Sequence, residues 1–305
     1  MAQEKHNIEE LLRICDSEPI HQLGYIQQHG YLIACSIEDF VINYYSENFQ
    51  IATGGYLSKK TVWEMFADAK IAVSEDQQQL LIHFASNENE LELYPLDVTL
   101  NNEKPYFLLA HKFNGQLIME LEPSDNFSNS QLQQKIGEGV SEVLQATYIQ
   151  QKLDNAVKYI RKIIGYDRVM VYRFANDSHG EVVAEETERN IQSYMGLHFP
   201  AADIPRQARE LYKKNLVRLI ADVHADNFKI LSYNRSSPLD LTQAQTRAVS
   251  PVHIEYLKNM EVASSFSISL IVNNELWGLI ACHNNTAKFI DFKAREACKW
   301  LGRIL

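Results

Sequence analysis

The sequence predicts an α+β protein with two domains, each built on a central antiparallel sheet flanked by helices. At 305 residues the chain is long enough for two domains. Short β-rich segments alternate with helical patterns, and two of them meet at Asn114-Gly115, a strong sequence signal for a β-hairpin. A stretch rich in Ser, Asn and Asp at residues 122–134 is the expected junction between the domains.

The first predicted domain covers residues 24–121, after a polar lead-in at residues 1–23. Residues 93–100 alternate between apolar and polar, as expected of a half-buried strand. A mixed unit of this kind is typical of many small sensor domains. Its predicted elements are strands at 31–36, 41–45, 93–100, 105–113 and 116–121, and helices at 61–66 and 76–86.

The second predicted domain covers residues 135–305. It is introduced by one long helix at 131–164, whose apolar residues recur every three or four positions and which ends at Gly165. A connection at 223–245 has little periodicity, and loops of that length usually have a function. The other predicted elements are strands at 168–174, 181–186, 216–222, 264–272 and 275–282, and helices at 206–215, from His253, and at 292–305.

The composition narrows the class of protein. The formal net charge of −10 argues against nucleic acid and anionic membranes as partners. No apolar run approaches the roughly 20 residues of a membrane span, and the N-terminus has no signal-peptide core, so the expected location is the cytoplasm. The cysteines lack the Cys-x-x-Cys spacing of a zinc or redox motif; they are Cys15, Cys35, Cys282 and Cys298.

The loop at His198–Pro205 is expected to be rigid and contains Asp203, a candidate functional carboxylate. Its two prolines fix two φ angles and remove two backbone donors. Asp203 precedes the predicted helix at 206–215, so its side chain either caps that helix or faces a pocket of which the loop forms one wall.

Further polar residues lie near the ends of predicted strands and helices: Arg218, Arg247, His253, Tyr256 and His283. Each histidine taken alone is more often structural than a ligand. A metal site lacks a His-x-x-x-His pair, and a hydrolase triad of Ser250, His253 and Asp203 lacks the Gly-x-Ser-x-Gly nucleophile elbow.

Four motifs in order along the chain resemble those of phytochromes. The first, at residues 15–30, is similar to the N-terminal signature of bacterial phytochromes. The other three resemble the proline-rich signature, the chromophore-contact helix and the last pocket strand of the family. They read Pro-Ala-Ala-Asp-Ile-Pro at 200–205, Ser-Pro-Val-His-Ile-Glu-Tyr-Leu-Lys-Asn-Met at 250–260 and Leu-Trp-Gly-Leu-Ile-Ala-Cys-His at 276–283.

The resemblance implies a PAS domain followed by a GAF domain that holds a linear tetrapyrrole. It also implies a figure-of-eight knot, in which Ile26 passes through a lasso made from residues 223–247. Biliverdin IXα would be attached by a covalent thioether to Cys15. Val252 stands where plant and many cyanobacterial relatives have the attachment cysteine, and valine cannot form that bond.

The resemblance also implies roles around the bilin. Arg218 and Arg247 would bind the propionates, and the Asp203 carbonyl would accept from the pyrrole N–H groups. His253 would border the same nitrogens through a water molecule, and His283 would donate to the D-ring carbonyl. The implied contact residues are Cys15, Tyr172, Tyr194, Phe199, Asp203, Ile204, Pro205, Tyr212, Arg218, Arg247, Ser250, His253, Tyr256, Ser265, Ser267 and His283.

The expected function is that of a red/far-red photoreceptor module with D-ring photoisomerisation and no enzymatic activity of its own. Its expected partners are biliverdin, a second copy of the chain through the GAF helices, and PHY and output domains in a longer protein. Three alternatives are a near-infrared fluorescent scaffold, a PAS–GAF module for a cyclic nucleotide or haem, and a hydrolase or metal enzyme using His253 and His283. Two departures from the family pattern are Ala202, usually Ser, and Glu261, usually Gly.

Overall fold

A computed structural model describes residues 18–54, 57, 59–90, 92–101, 104–124, 129–233 and 237–305. Its contacts divide the chain into two compact units. One unit comprises His21–Asp125 together with Ala225–Ala248. The other comprises Asn126–His224 and Val249–Leu305, together with the described residues before His21.

The described residues of the first unit form an eight-stranded antiparallel sheet in the order β1-β12-β3-β2-β7-β6-β5-β4. Its helices pack on the sheet through a core that includes Phe49, Leu81 and Phe84. The strands are β1 (Tyr25–Gln27), β2 (Tyr31–Ser36), β3 (Ile42–Ser46), β4 (Ile71–Ala72), β5 (Glu92–Leu100), β6 (Lys104–Phe113), β7 (Gln116–Pro123) and β12 (Asn227–Ser232). The helices are α1 (Glu47–Thr53), α2 (Val62–Asp68) and α3 (Glu75–Ser86).

Local sequence signals explain several boundaries in this unit. Asn114 and Gly115 both have positive φ, 47° and 72°, as the tight turn between β6 and β7 requires, so the predicted hairpin is confirmed. Helices α2 and α3 each begin with a capping box, in which the side chains of Thr61 and Ser74 accept from the backbone three residues later.

The connection at 223–245, in which the sequence predicted no strand, contains strand β12. Strand β12 pairs with β1 on one side, with Tyr25 opposite Lys229, and with β3 on the other, with Tyr45 opposite Leu231. Only Phe228, Ile230 and Leu231 are apolar in this strand, which is too weak an alternation to predict it. Strand pairing distant in sequence therefore decides its conformation.

The same connection contacts β1 from two sides. Ile26 is fully buried and lies opposite Phe228 in β12. It also forms a bridge with Arg247, and the backbone N–H of Gln27 donates to the carbonyl of Thr246 at 2.8 Å. These contacts place Ile26 next to Phe228 and Arg247, and its passage through a lasso stays a prediction.

The described residues of the second unit form a six-stranded antiparallel sheet in the order β10-β9-β8-β14-β13-β11. The strands are β8 (Arg168–Phe174), β9 (Gly180–Thr187), β10 (His198–Phe199), β11 (Val217–Ile220), β13 (Ser264–Val272) and β14 (Glu275–Asn284). The helices are α4 (Asn129–Gln145), α5 (Ile149–Ile164), α6 (Arg206–Lys214), α7 (Pro251–Asn259) and α8 (Phe292–Arg303). Ile160, Phe266, Ile280 and Leu301 are buried between one sheet face and the helices α5 and α8.

The single helix predicted at 131–164 is in fact two antiparallel helices, α4 and α5. Tyr148 has an extended backbone, with φ −102° and ψ 143°, and precedes the first turn of α5. Lys135 Nζ donates to the carbonyl of Lys162 at 2.7 Å, as expected when the helices run side by side in opposite directions. Gly139 permits their close approach, because an added Cβ there would lie 3.0 Å from Tyr159 Cβ. Among the described residues, no helix has the length and apolarity to cross a membrane.

Glu261 occupies a backbone conformation that favours glycine. It follows α7 with φ 57°, the left-handed conformation that usually ends a helix at glycine. This explains why a glycine is usual here in the family that the sequence resembles. A side chain with a Cβ is strained at this position.

We expect Glu261→Gly to stabilise the chain. Relief of the left-handed strain outweighs the extra chain entropy of glycine, for a net gain of about 0.5–1 kcal/mol in the free energy of unfolding. Urea titration measures it. Glu255→Gly is the matched control, because this exposed residue lies inside α7 and glycine there costs about 1 kcal/mol. Equal destabilisation by both substitutions would contradict the assignment of strain.

Candidate functional site

An aromatic cluster covers the face of the second sheet opposite the helices α5 and α8. Tyr172 lies 5.4 Å from Phe174 and 6.0 Å from Phe199, measured between ring centroids, and Tyr194 lies 6.0 Å from Phe199. The alternation along β8 produces this separation, because Val171 points into the helix-covered core while Tyr172 points to the other face. The structure thus brings together three of the five aromatic residues that the resemblance implied as contacts; the other two, Tyr212 and Tyr256, are not part of this cluster.

Gly180 makes room for the Tyr172 ring, and sequence reasoning did not identify it. A Cβ at Gly180 would lie 1.7 Å from Tyr172 Cζ, so the ring lies directly across this glycine. The sequence feature that could have identified Gly180 is its place at the first position of a strand, where a glycine often lets another group approach the backbone closely. Burial, followed by the nearby charge of Asp203, raises the pKa of Tyr172 to about 12.

The strand register places polar groups on this same face. His283 in β14 lies opposite Arg168 in β8 and opposite Ser265 in β13. Ser267, two residues along β13, lies opposite Arg218 in β11. Paired residues in neighbouring strands share a face, so these side chains form two adjacent rows beside the aromatic cluster.

Asp203 does not cap helix α6, and the cap alternative is wrong. Pro205 occupies the cap position and makes no side-chain bond to the helix. Asp203 lies in one turn of 3-10 helix, Ala201–Asp203, and its Oδ2 accepts from the Tyr256 hydroxyl at 3.0 Å. Burial raises the pKa of Asp203, against the opposing effect of this hydrogen bond. The two prolines therefore hold a carboxylate that faces α7.

Helix α7 presents His253 and Tyr256 as neighbours, one turn apart. Their rings are stacked with centroids 5.9 Å apart and an interplanar angle of 17°. Although part of the ring is exposed, the surrounding protein lowers the pKa of His253 to about 4, chiefly through burial and then through the charge of Arg218. His253 is therefore neutral at pH 7.

His283 is also neutral at pH 7, and one of its ring nitrogens lacks a hydrogen-bond partner among the described residues. Burial, then the charge of Arg168 and the proximity of the His253 ring, lower the pKa of His283 to about 3. Its Nδ1 has no hydrogen-bond partner among the described residues. The neighbouring Cys282 is fully buried on the opposite face, as the strand alternation predicts.

Tyr212 is tied to the serines of β13. The Ser267 hydroxyl donates to the Tyr212 hydroxyl oxygen at 3.2 Å, and the Ser269 hydroxyl donates to the Tyr212 carbonyl at 2.7 Å. Ser267 and Ser265 are both buried. These bonds attach the end of α6 to β13. Arg218, in the strand that follows α6, lies opposite Ser267.

Comparison of the chain with known protein families and solved structures shows which family it belongs to. Residues 149–304 match the GAF domain and residues 15–124 match the PAS fold. The chromophore-binding domain of Stigmatella aurantiaca bacteriophytochrome superposes with a TM-score of 0.86 at 34% identity, covering 95% of this chain and 97% of that one. The chain belongs to the phytochrome family. The predicted PAS–GAF fold, with an antiparallel sheet and flanking helices in each domain, is confirmed.

Two curated relatives show how much of a phytochrome is present. Cyanobacterial phytochrome B of Nostoc sp. is 37% identical over 299 residues, and a bacteriophytochrome of Pseudomonas aeruginosa is 34% identical over 301 residues. Each alignment covers 95% of this chain and 39% of the relative. The chain therefore spans about two fifths of the length of these phytochromes.

Two contact residues that the resemblance implied, Ser250 and Arg247, are not part of the aromatic cluster. Ser250 donates to Glu18 Oε2 at 2.6 Å, a contact that sequence reasoning missed. Arg247 is buried in the first unit, where its carbonyl accepts from Gln27 Nε2 at 3.2 Å. Cys15 lies outside the described residues.

The hydrolase triad considered from the sequence is not formed in this phytochrome chain. Ser250 donates to Glu18, and Asp203 accepts from Tyr256. Within the described part of the chain, no group of three His, Cys, Asp or Glu is arranged to hold a metal ion.

The three described cysteines are free and buried, which makes each a poor nucleophile. Burial raises the pKa of Cys35 to about 12, and it also raises the pKa of Cys282 and of Cys298. At neutral pH these three side chains are thiols rather than thiolates.

Proposed function

We propose that the chain is the bilin-binding part of a red/far-red photoreceptor and takes biliverdin IXα as its chromophore. The observation that carries this proposal is the sheet face on which the pairs Arg218–Ser267 and Ser265–His283 lie beside the aromatic cluster. A linear tetrapyrrole has the matching chemistry, with flat apolar rings, two propionates and a carbonyl at each end. Membership of the phytochrome family supports the same choice.

In this proposal, arginine and serine side chains bind the two propionates of the bilin. A guanidinium forms two parallel charge-assisted hydrogen bonds with a carboxylate, which suits Arg218 and Arg247. The hydroxyl groups of Ser250, Ser265 and Ser267 add neutral donors. We assign the two arginines to the two propionates and leave the serines as supporting contacts.

The polar residues near the ring nitrogens control protons. Neutral His253 has one ring nitrogen available as an acceptor, and the carbonyl of Asp203 offers another acceptor. Neutral His283 has an Nδ1 without a partner among the described residues, and the tautomer with the proton on that nitrogen can donate to a ring carbonyl. The bound bilin supplies light absorption and a double bond whose isomerisation turns the D ring.

The aromatic residues form the wall for that D ring. Tyr172, Tyr194 and Phe199 lie within one cluster, and Tyr172 also contacts Phe174. Ile204 packs against the same cluster directly before Pro205. The wall excludes water and limits the rotation of a terminal ring.

Covalent attachment is assigned to Cys15. The three described cysteines are buried with raised pKa values, which disfavours the thiolate that thioether formation needs. Val252, at the alternative attachment position of the family, is exposed but has no thiol.

We also propose a homodimer through the GAF helices. Leu144, Ile149 and Trp300 are each more than half exposed on or beside α4, α5 and α8, an exposure that pairing with a second chain would remove. Sedimentation at micromolar concentration tests this, and a monomer would contradict it. The cytoplasmic location, and the PHY and output domains of a longer protein, are proposals from family membership alone.

One experiment tests the proposed function directly. Purified chain is mixed with biliverdin, and the absorption spectrum is followed by zinc-stained fluorescence on a denaturing gel. We expect a new red absorption band and a covalent fluorescent band at the mass of the chain. Haem and a cyclic nucleotide, offered separately, serve as competing ligands. Saturable binding of either, with no red band from biliverdin, would overturn the proposal.

A further inference from the structure

A buried ion pair lies behind the aromatic cluster, where the residue roles assigned above do not use it. Arg168 Nε in β8 lies 3.4 Å from Glu185 Oε1 in β9, and the two side chains are 6% and 4% exposed. Separating two such charges from water is costly unless further hydrogen bonds compensate them. Their other contacts therefore show what the pair holds in place.

Glu185 holds the loop that carries Tyr194. The backbone N–H of Tyr194 donates to both carboxylate oxygens at 3.0 Å, and the N–H of Met195 donates at 3.3 Å. The hydroxyl of Ser193 donates to the same carboxylate. One buried carboxylate thus accepts from three consecutive residues.

Arg168 holds the same loop from the other direction. Its Nη2 donates to the carbonyl of Gln192, and its Cζ lies 3.3 Å from the centroid of the Tyr194 ring. A guanidinium stacked this closely on a ring makes a cation–π contact. Since Tyr194 also contacts Phe199, its ring is held between the guanidinium and the aromatic cluster.

Arg168 and Glu185 together clamp the loop at 192–195, and we refer to them as the clamp. Arg168 also connects this clamp to His283. The two residues lie opposite each other in paired strands and share a sheet face. The charge of Arg168 is the second cause, after burial, that keeps His283 neutral. A change in Arg168 therefore affects both Tyr194 and His283.

We propose that Arg168 and Glu185 are positioning residues that set the rigidity of the Tyr194 wall, and thereby how freely the terminal ring of the bilin rotates. This rests on the proposed function, because the ring in question belongs to the bilin. Neither residue needs to touch the bilin. Both act through the loop at 192–195 and through the Tyr194 ring.

The clamp itself is tested on the chain without bilin. In a proton–nitrogen NMR spectrum, the Nε–H signal of Arg168 should be shifted upfield by the Tyr194 ring. Tyr194→Leu should remove the shift directly, and Glu185→Gln should remove it by releasing the loop. Retention of the shift in Glu185→Gln would overturn the inference, whether or not the chain binds biliverdin.

The functional consequence is tested on the biliverdin-loaded chain. We expect Glu185→Gln and Arg168→Lys to lower the fluorescence yield by about two- to five-fold, the population change that loss of one cation–π contact produces. Arg168→Lys keeps the positive charge but lacks the planar fork, so it separates stacking from charge. An unchanged yield in both variants would contradict the proposal.

The matched control is the ion pair of Arg173 and Glu181 on the same two strands. Arg173 lies directly opposite Glu181, whereas Arg168 lies opposite Thr187 and reaches Glu185 diagonally. The side chain of Arg173 is 47% exposed. Arg173→Gln should leave both the NMR shift and the fluorescence yield at parent values. If it lowers the yield as much as Glu185→Gln does, the effect belongs to the strands in general and the inference fails. Circular dichroism of each variant confirms that it is folded before the comparison.

Discussion

Asp203→Leu in the biliverdin-loaded chain is expected to suppress photoconversion and raise near-infrared fluorescence. The side chain of Asp203 is half-buried and accepts from Tyr256 at 3.0 Å, so leucine removes a carboxylate and leaves the tyrosine hydroxyl without that acceptor. Loss of a positioned proton-transfer group typically costs about 100-fold or more in rate. An excited bilin that cannot complete its proton transfer has more time to emit.

Two measurements, each made on the parent chain and on its variants, test this prediction. The rate of photoconversion under red light and the fluorescence yield are compared for the parent chain, Asp203→Leu and Asp203→Asn. The asparagine variant keeps the shape and one acceptor oxygen but removes the charge, so it separates hydrogen bonding from charge. Tyr256→Phe removes the donor and should have a smaller effect, because the carboxylate remains. If the Asp203 variants photoconvert like the parent and gain no emission, the proposed role of this carboxylate is wrong.

Cys15→Ser should abolish the covalent zinc-fluorescent band while the red absorption band of bound biliverdin remains. A thioether requires a thiolate at the attachment position, and a serine hydroxyl is not acidic enough to replace it. The pocket contacts assigned to Arg218, His253 and His283 do not depend on the covalent bond. The expected change is therefore complete for attachment and small for the absorption spectrum.

Cys35→Ala is the matched control for this substitution. Cys35 is fully buried and its pKa is raised to about 12, so it contributes no thiolate at neutral pH. The zinc-fluorescent band should persist at parent intensity in this variant. A band that survives in Cys15→Ser would move the attachment to another cysteine, and loss of red absorption in the same variant would show that binding itself needs the thioether.

Sequence reasoning succeeded where a signal is local. The strand at Arg168–Phe174 and the hairpin of Ser264–Val272 with Glu275–Asn284 follow from short β-rich runs with turn residues between them. Asn114-Gly115 identifies its hairpin because both residues accept positive φ. The four ordered motifs sufficed to identify the phytochrome family, which the structural superposition confirms.

Sequence reasoning failed where contacts between residues distant in sequence decide the secondary structure. The strand at Asn227–Ser232 forms only because β1 and β3 flank it. The break before Tyr148 leaves the apolar period of each helix intact, so the pattern alone indicates one helix where the packing of α4 on α5 requires two. In both cases the deciding contacts join residues far apart in sequence.

The sequence by itself identified most of the candidate site residues, because motifs preserve residue types and order, whereas Gly180, Arg168 and Glu185 emerged only from the structure. Only the tertiary structure decided their partners. Asp203 accepts from Tyr256, 53 residues away, and Tyr172 lies across Gly180. Arg168 and Glu185 meet because β8 and β9 pair. A buried charge must find its compensating groups wherever the folded chain brings them, and no local pattern specifies where that is.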